Sequence, residues 1–132
     1  VTPAEFKSFV SFVQAAVAGR RFGRRDEKLL QDQLEQCFKA AGLDFQREWT
    51  LPAAEAGMRV VPRDRPDFTF ANGVGLECKV DGSLGAHLRQ CKRYADYDEV
   101  TGIILVAMRP YPMPETLSGK PCCCLNFALK CL

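Results

Sequence analysis

Arg65-Pro66-Asp67-Phe68-Thr69-Phe70, then Ala71-Asn72-Gly73, then Val74-Gly75-Leu76-Glu77-Cys78-Lys79-Val80, reads as two strands joined by a tight turn. Successive side chains of a strand point to opposite faces. Phe68 and Phe70 therefore share one side of the first strand, and Asp67 and Thr69 the other. In the second strand Val74, Leu76, Cys78 and Val80 share a face, and Glu77 and Lys79 lie opposite them. A two-residue Asn72-Gly73 loop would set Asp67 against Cys78 and break the burial pattern. A three-residue loop with Gly73 in the left-handed region pairs Phe70 with Val74, Phe68 with Leu76 and Asp67 with Glu77. The pattern predicts the three-residue loop, with two acids and a lysine on one face.

Directly opposed residues have β-carbons ~4.5–5.5 Å apart, a spacing on which two carboxylates can share one divalent cation. Left without a cation they repel, and one of them must hold a proton. Mg²⁺ favours one or two carboxylates, several waters and the phosphate oxygens of a substrate. A lysine on the same face can serve an attacking water or neutralise charge building on a phosphoryl group. Asp67, Glu77 and Lys79 in this arrangement suit metal-assisted phosphodiester hydrolysis.

Pro66-Asp67, followed after a hairpin by Glu77-Cys78-Lys79, resembles the PD-(D/E)XK signature of the restriction-endonuclease-like nuclease superfamily. The resemblance covers Arg25 to Met108. It implies an α/β (mixed-sheet α+β) fold with an α-β-β-β-α-β core, and a Mg²⁺- or Mn²⁺-dependent deoxyribonuclease, an endonuclease rather than an exonuclease. Asp67, Glu77 and the backbone carbonyl of Cys78 would then hold the metal, and Lys79 would serve the attacking water. Members of the superfamily often carry a further acid on the first core helix. Glu27 is the matching position, as a ligand or as a holder of a water on the metal; Asp26 and Glu27 read equally well as acids that complement a helix N-terminus. Gln90-Cys91-Lys92-Arg93-Tyr94 matches the Gln-x-x-x-Tyr element of the RecB-like branch, and a Gln after the lysine is also similar to the small VRR-Nuc nucleases. There Gln90 would hold the catalytic groups or a phosphate, and Tyr94 would pack beside them.

The flanking segments supply the remaining elements. Residues 25–42 carry Leu30, Leu34, Cys37, Phe38 and Ala41 at helical spacing, with Gly42 as the stop. Phe45 to Leu51 alternates large apolar and polar residues as a strand would, Pro52 ends it, and 53–64 form a loop or irregular hairpin return. Ser83 caps a helix whose stripe of Leu84, Leu88, Cys91 and Ala95 is expected to be buried. A second stripe holds Ser83, His87, Gln90, Tyr94 and Tyr97, with His87 expected as a partly exposed packing residue. Thr101 to Met108 is continuously apolar, as in a strand covered on both faces. Ahead of all these, Thr2-Pro3-Ala4-Glu5 opens a helix with a capping box. Its oily face of Phe6, Phe9, Val10, Val13, Ala16 and Val17 either packs across the core or supplies the surface of a homodimer.

The chain of 132 residues is expected to form one domain, with 1–20 as accessory helix, 25–108 as core and 109–132 as extension. The formal net charge is only +2. The distribution says more: Arg20, Arg21, Arg24 and Arg25 precede Glu27, Arg63 and Arg65 precede Asp67, and Arg89, Lys92 and Arg93 accompany Gln90. Such groups around an acidic pocket suit DNA phosphates, with RNA not separated from DNA by any residue here. Arg24, Arg25, Arg65, Arg93 and Tyr94 are the candidate substrate-binding residues. No apolar run approaches the ~20 residues of a membrane span, and Glu5 and Lys7 interrupt any signal-peptide core.

Seven cysteines include Cys122-Cys123-Cys124 but no Cys-x-x-Cys pair. Neighbours on a strand face opposite ways, so three in a row do not ligate one ion. They are expected as small buried residues of a terminal strand from Cys122 to Leu129, in a protein of the reducing cytoplasm. Arg109 to Pro114 is a Pro-rich surface connection leading to it. Two rival classes use the same residues: a nucleic-acid-binding domain without turnover, and an interaction module in which the acids and lysine are an ion-pair cluster.

Overall fold

The computed structural model of the chain describes residues 1–23, 25–49, 51 and 64–127. Its elements run α1 (Pro3–Val17), α2 (Glu27–Ala40), β1 (Phe45–Arg47), β2 (Phe68–Phe70), β3 (Val74–Lys79), α3 (Leu84–Ala95), β4 (Gly102–Ala107), β5 (Thr116–Leu117) and β6 (Lys120–Asn126). One mixed sheet orders the strands β1-β2-β3-β4-β6-β5. β1, β2 and β3 are antiparallel neighbours, β3, β4 and β6 run parallel, and β5 folds back on β6. The stretch from α2 to β4 follows the α-β-β-β-α-β order expected from the sequence.

The central hairpin has the register that the alternation of Phe68, Phe70, Val74 and Leu76 requires. Phe68 faces Leu76 and Thr69 faces Gly75. Gly73 takes φ +88°, and its amide donates to the Phe70 carbonyl at 2.8 Å. A side chain there would bring Cβ to 2.7 Å from both the Glu99 carbonyl oxygen and Thr101 Cγ2. Gly73→Ala is therefore expected to lower stability by about 1–3 kcal/mol. Urea unfolding checks this, and a variant within about 0.5 kcal/mol of the parent would remove the strain argument.

One face of the sheet packs on α1 and α2. Phe38 lies at its centre, with the rings of Phe45, Phe68 and Phe70 at centroid distances of 5.9, 5.1 and 5.3 Å. Helix α1 starts with the expected capping box, Thr2 Oγ1 accepting from the Glu5 amide at 3.1 Å. It packs across this core through Phe6, Val13 and Val17, while Phe12 stays exposed. The other face carries α3, over Ile103, Leu105 and Ala107 of β4. No helix among the described residues is long and apolar enough to cross a membrane.

Four expectations need correction. Strand β1 ends at Arg47, not Leu51, because Glu48 adopts φ +54° and breaks the extended geometry. Helix α3 is rotated: His87, Cys91, Tyr94 and Ala95 are its buried residues, and Leu84 and Leu88 are only half-buried. Tyr94, placed by the sequence on the second stripe and beside the acids, is buried there against Glu77. His87 is buried to 4 % exposure rather than partly exposed. The terminal strand starts earlier, at Lys120, with a short partner β5 that no alternation in the sequence signals, and it ends at Asn126. Ala128 and Leu129 lie outside the described residues, as do Arg24, Thr50, Pro52 and, with Arg63, 53–63 of the expected 53–64 loop. The six described cysteines are free thiols, of which Cys123 and Cys124 are half-buried.

Candidate active site

Strand β2 begins one residue after Asp67, and Glu77 lies directly across from it in the extended register. Instead of a normal ladder rung, the acids form a clasp in which each carboxylate accepts from a backbone amide of the opposite strand. The Asp67 amide donates to Glu77 Oε1 at 3.1 Å, and the Cys78 amide donates to Asp67 Oδ2 at 2.7 Å. Lys79 follows on the same face, with Nζ 3.3 Å from Glu77 Oε2. The side chain of Cys78 is buried in the core on the opposite face, so its backbone carbonyl is the only donor it can offer here. Burial and the charges of Asp67 and Glu77 push its thiol well up, which keeps it protonated.

Both acids are held above the ordinary carboxylate range. Glu77, only 4 % exposed, is pushed up to about 8 by burial and then by Asp67, against the lowering effect of Lys79. Asp67 is pushed up to about 6, chiefly by burial. The Cys78 amide lowers it, Glu27 raises it, Lys79 lowers it and Glu48 raises it. Lys79 loses some basicity to burial, but the surrounding acids, Glu77 first, hold its pKa above the usual value. At neutral pH the amine is a cation beside a carboxyl group that resists ionisation.

Helix α3 braces this pair. The Tyr94 hydroxyl lies 3.4 Å from Glu77 Oε1 and 3.4 Å from the Arg65 carbonyl oxygen, and it accepts from Gln90 Nε2 at 2.9 Å. Burial and the charges of Glu77 and Asp67 push the phenol well up, so it stays a donor. Gln90 and Tyr94 thus form a chain that ends on the acid, one helical turn apart as i and i+4.

On α2 the two neighbouring acids separate into different jobs. Asp26 is the N-cap, its Oδ1 accepting from the Leu29 amide at 3.1 Å. Glu27 lies in the first turn, and its charge acts on Asp67 and Lys79. Arg47 fixes the helix against the sheet, with Nη1 2.6 Å from Asp32 Oδ1 and 3.2 Å from Glu35 Oε2, and Nη2 3.0 Å from Gln31 Oε1. Asp26→Ala is expected to cost about 1 kcal/mol of stability through the lost cap and leave Mn²⁺ affinity unchanged. Glu27→Gln is expected to do the reverse, and calorimetric titration beside thermal unfolding separates the two. Weaker Mn²⁺ binding in Asp26→Ala alone would exchange the assignments.

The other candidate residues scatter. Arg25 and Arg65 are exposed. Arg93 is committed through Nε to Asp64 Oδ1 at 3.2 Å. Asp64 is a buried acid that the sequence reading missed; its Oδ2 accepts from the Tyr97 hydroxyl at 3.1 Å. It ties α3 to the segment entering the hairpin, since its carbonyl also accepts from the Leu51 amide at 3.2 Å. Glu48 was missed as well, although its amide donates to the Asp67 carbonyl at 3.0 Å. No sequence pattern marks either acid, because both belong to the irregular edges of β1 and β2.

The donor chemistry of Asp67, Glu77 and the Cys78 carbonyl is all oxygen, which fits Mg²⁺ or Mn²⁺ and not a thiolate-bound metal. A buried acid and a half-buried one that resist joint ionisation gain most from a cation placed between them. Among the described residues no group of three or more His, Cys, Asp or Glu is placed to hold an ion. An ion here would depend on waters and substrate oxygens for the rest of its shell. Comparison of the chain with protein-family models, curated proteins and solved structures returns no match.

Proposed function

We propose that the protein is a Mg²⁺- or Mn²⁺-dependent nuclease of the PD-(D/E)XK type that hydrolyses phosphodiester bonds of DNA. The observation that carries this reading is the convergence of Asp67, Glu77 and Lys79 on one face of the hairpin, with both acids held above their usual pKa. A bound divalent cation would supply Lewis-acid charge to the phosphate. Glu77, fixed by the Asp67 amide and Tyr94, and Asp67, fixed by the Cys78 amide, present oxygens whose directions are set before substrate arrives. Such preorganised groups lower the barrier because little reorientation is left for the reaction itself. Lys79 places its ammonium beside Glu77 and offsets charge that builds on the phosphoryl oxygens. Gln90 acts through Tyr94 as a positioning residue. Arg25 and Arg65 are exposed cations for the phosphate path.

The test is a panel of end-labelled linear, flap, four-way-junction and nicked-circle DNA incubated with Mn²⁺. Cleavage that EDTA abolishes supports the proposal; intact substrates throughout would overturn it. A second reading rests on the clasp itself, since each acid already serves as a hydrogen-bond acceptor for the hairpin backbone. In that reading the cluster is structural, and calorimetry would find Mn²⁺ binding absent or unchanged in Asp67→Asn.

A further inference from the structure

Trp49 is the sole tryptophan of the chain, and at 38 % exposure it is one of its few open large apolar side chains. Had β1 continued in regular alternation, Trp49 would lie with Phe45 and Arg47 on the face covered by α2. The left-handed turn at Glu48 interrupts that alternation. Trp49 lines instead a cleft of about 260 Å³ together with Asp44, Gln46, Thr69 and Ala71. Gln46 and Thr69 are direct cross-strand partners, so the cleft lies over the β1–β2 pair on the face that bears Asp67 and Glu77. Helix α3 covers β4 on this face, beyond β3 from the cleft.

Two features point to a ligand. Thr69 is only 8 % exposed, and its Oγ1 has no hydrogen-bond partner among the described residues. A buried hydroxyl is normally satisfied, so one without a partner in a residue that lines a cleft asks for a polar group. The second feature is size and shape. The cleft is smaller than the ~300–1,000 Å³ of drug-sized sites, and its lining combines the indole with Phe45, Phe70 and Ala71 and the polar residues Asp44, Gln46 and Thr69. That combination takes a single flat heterocycle: a ring stacked on Trp49, with its polar edge towards Thr69 Oγ1, Gln46 and the Asp44 carboxylate.

The cleft adjoins the acidic pair. The Glu48 amide donates to the Asp67 carbonyl, which anchors the residue before Trp49 to the residue that begins the site. Thr69 stands two residues along the strand from Asp67 on the same face, about 7 Å away. A nucleotide whose base filled the cleft would be next to the phosphate presented to Asp67 and Glu77.

We propose that the cleft between Trp49 and Thr69 is a subsite for one unstacked nucleobase flanking the phosphate to be cleaved. This rests on the nuclease reading for the identity of that neighbouring phosphate. A base that stacks on Trp49 has left its own neighbours, so the strand entering the site is single-stranded or splayed from its complement.

The test uses the fluorescence of Trp49 with three probes in EDTA, where no strand is cut: a short single-stranded oligodeoxynucleotide of mixed sequence, the same strand carrying abasic sites, and the matching duplex. The single strand is expected to quench the tryptophan, and the abasic strand and the duplex to leave it unchanged. By anisotropy of a labelled strand, Trp49→Ala is expected to bind roughly 5- to 150-fold more weakly, the range that ~1–3 kcal/mol of base–aromatic stacking represents. Trp49→Phe keeps a stacking face and should retain most of the affinity, which separates stacking from misfolding. Thr69→Val, which keeps shape and removes the hydroxyl, should weaken the single strand and leave the abasic strand unaffected. Absence of quenching, equal affinity for intact and abasic strands, or an unchanged Trp49→Ala would each overturn the subsite. Cleavage in Mn²⁺ is scored separately: strands cut without base-dependent quenching would sink the subsite and leave the nuclease standing. Base-dependent quenching without cutting would do the opposite.

Discussion

Lys79→Met is expected to lower Mn²⁺-dependent cleavage by roughly 10²- to 10³-fold, the loss typical of removing one group that stabilises transition-state charge. Methionine keeps most of the length and apolar stem, so packing against the hairpin is preserved while the ammonium is removed. The amine stands 3.3 Å from Glu77 Oε2 and is largely shielded from water, so no solvent cation replaces it easily. Substrate binding should change far less than the rate, because exposed cations such as Arg25 and Arg65 remain. Single-turnover kinetics at saturating enzyme isolates the chemical step. Lys7→Met, at an exposed position of α1, serves as the control for lost charge alone. A Lys79→Met protein that cuts at the parent rate would remove the amine from the mechanism.

The second large effect is on stability. Without metal, the folded protein holds protons on Glu77 and Asp67 that the unfolded chain has already released near the ordinary values of 4.5 and 3.8. A carboxyl whose pKa is raised on folding contributes stability that is complete below the unfolded pKa and is lost as pH rises through the folded one. For Asp67 that loss runs to about 6, and for Glu77 to about 8. His87, lowered from 6.5 by burial and by Lys79, has the opposite sign and gains stability as pH rises towards 6.5. From pH 6.5 to about 8, then, the metal-free protein should lose stability, chiefly through Glu77, and the loss should level off above that. The loss is on the order of a few kcal/mol, at ~1.4 kcal/mol for each unit of pKa difference. Glu77→Gln, which cannot ionise, should be nearly flat over that range and more stable than the parent at pH 8.5 in EDTA. Mn²⁺ should raise the melting temperature of the parent there and not that of the variant. A metal-free parent with level stability from pH 6.5 to 8 would refute the raised-carboxyl account.

The hairpin was legible in the sequence because its constraints agree with each other. Only the three-residue loop puts Phe68 on Leu76 and keeps both strands amphipathic, and that register carries Asp67 to Glu77 without further assumption. The pairing of Gln90 with Tyr94 was legible too, since i and i+4 of a helix meet whatever else surrounds them. The rotation of α3 was not. Leu84 and Leu88 outrank His87 and Tyr94 in hydrophobicity, but a buried tyrosine that reaches Glu77 and a histidine packed edge-on to Tyr111 at 4.9 Å win the inner face. The break at Glu48 escaped the reading because a left-handed glutamate leaves no mark on hydrophobic periodicity. Asp64 and Arg93 escaped it because their pairing joins positions 29 residues apart, with the hairpin and most of α3 between them.

Those crossed carboxylate–amide contacts at the open end of the hairpin bear on descent. Each acid holds the opposite strand in place, so a lineage that abandoned chemistry would still be penalised for discarding either one. The amine, whose contact is with an acid already secured by two other donors, would be released from constraint first. Under the proposed nuclease reading, drift at position 79 among distant cousins would therefore be the sign that turnover has been given up, and persistence of 67 and 77 would not.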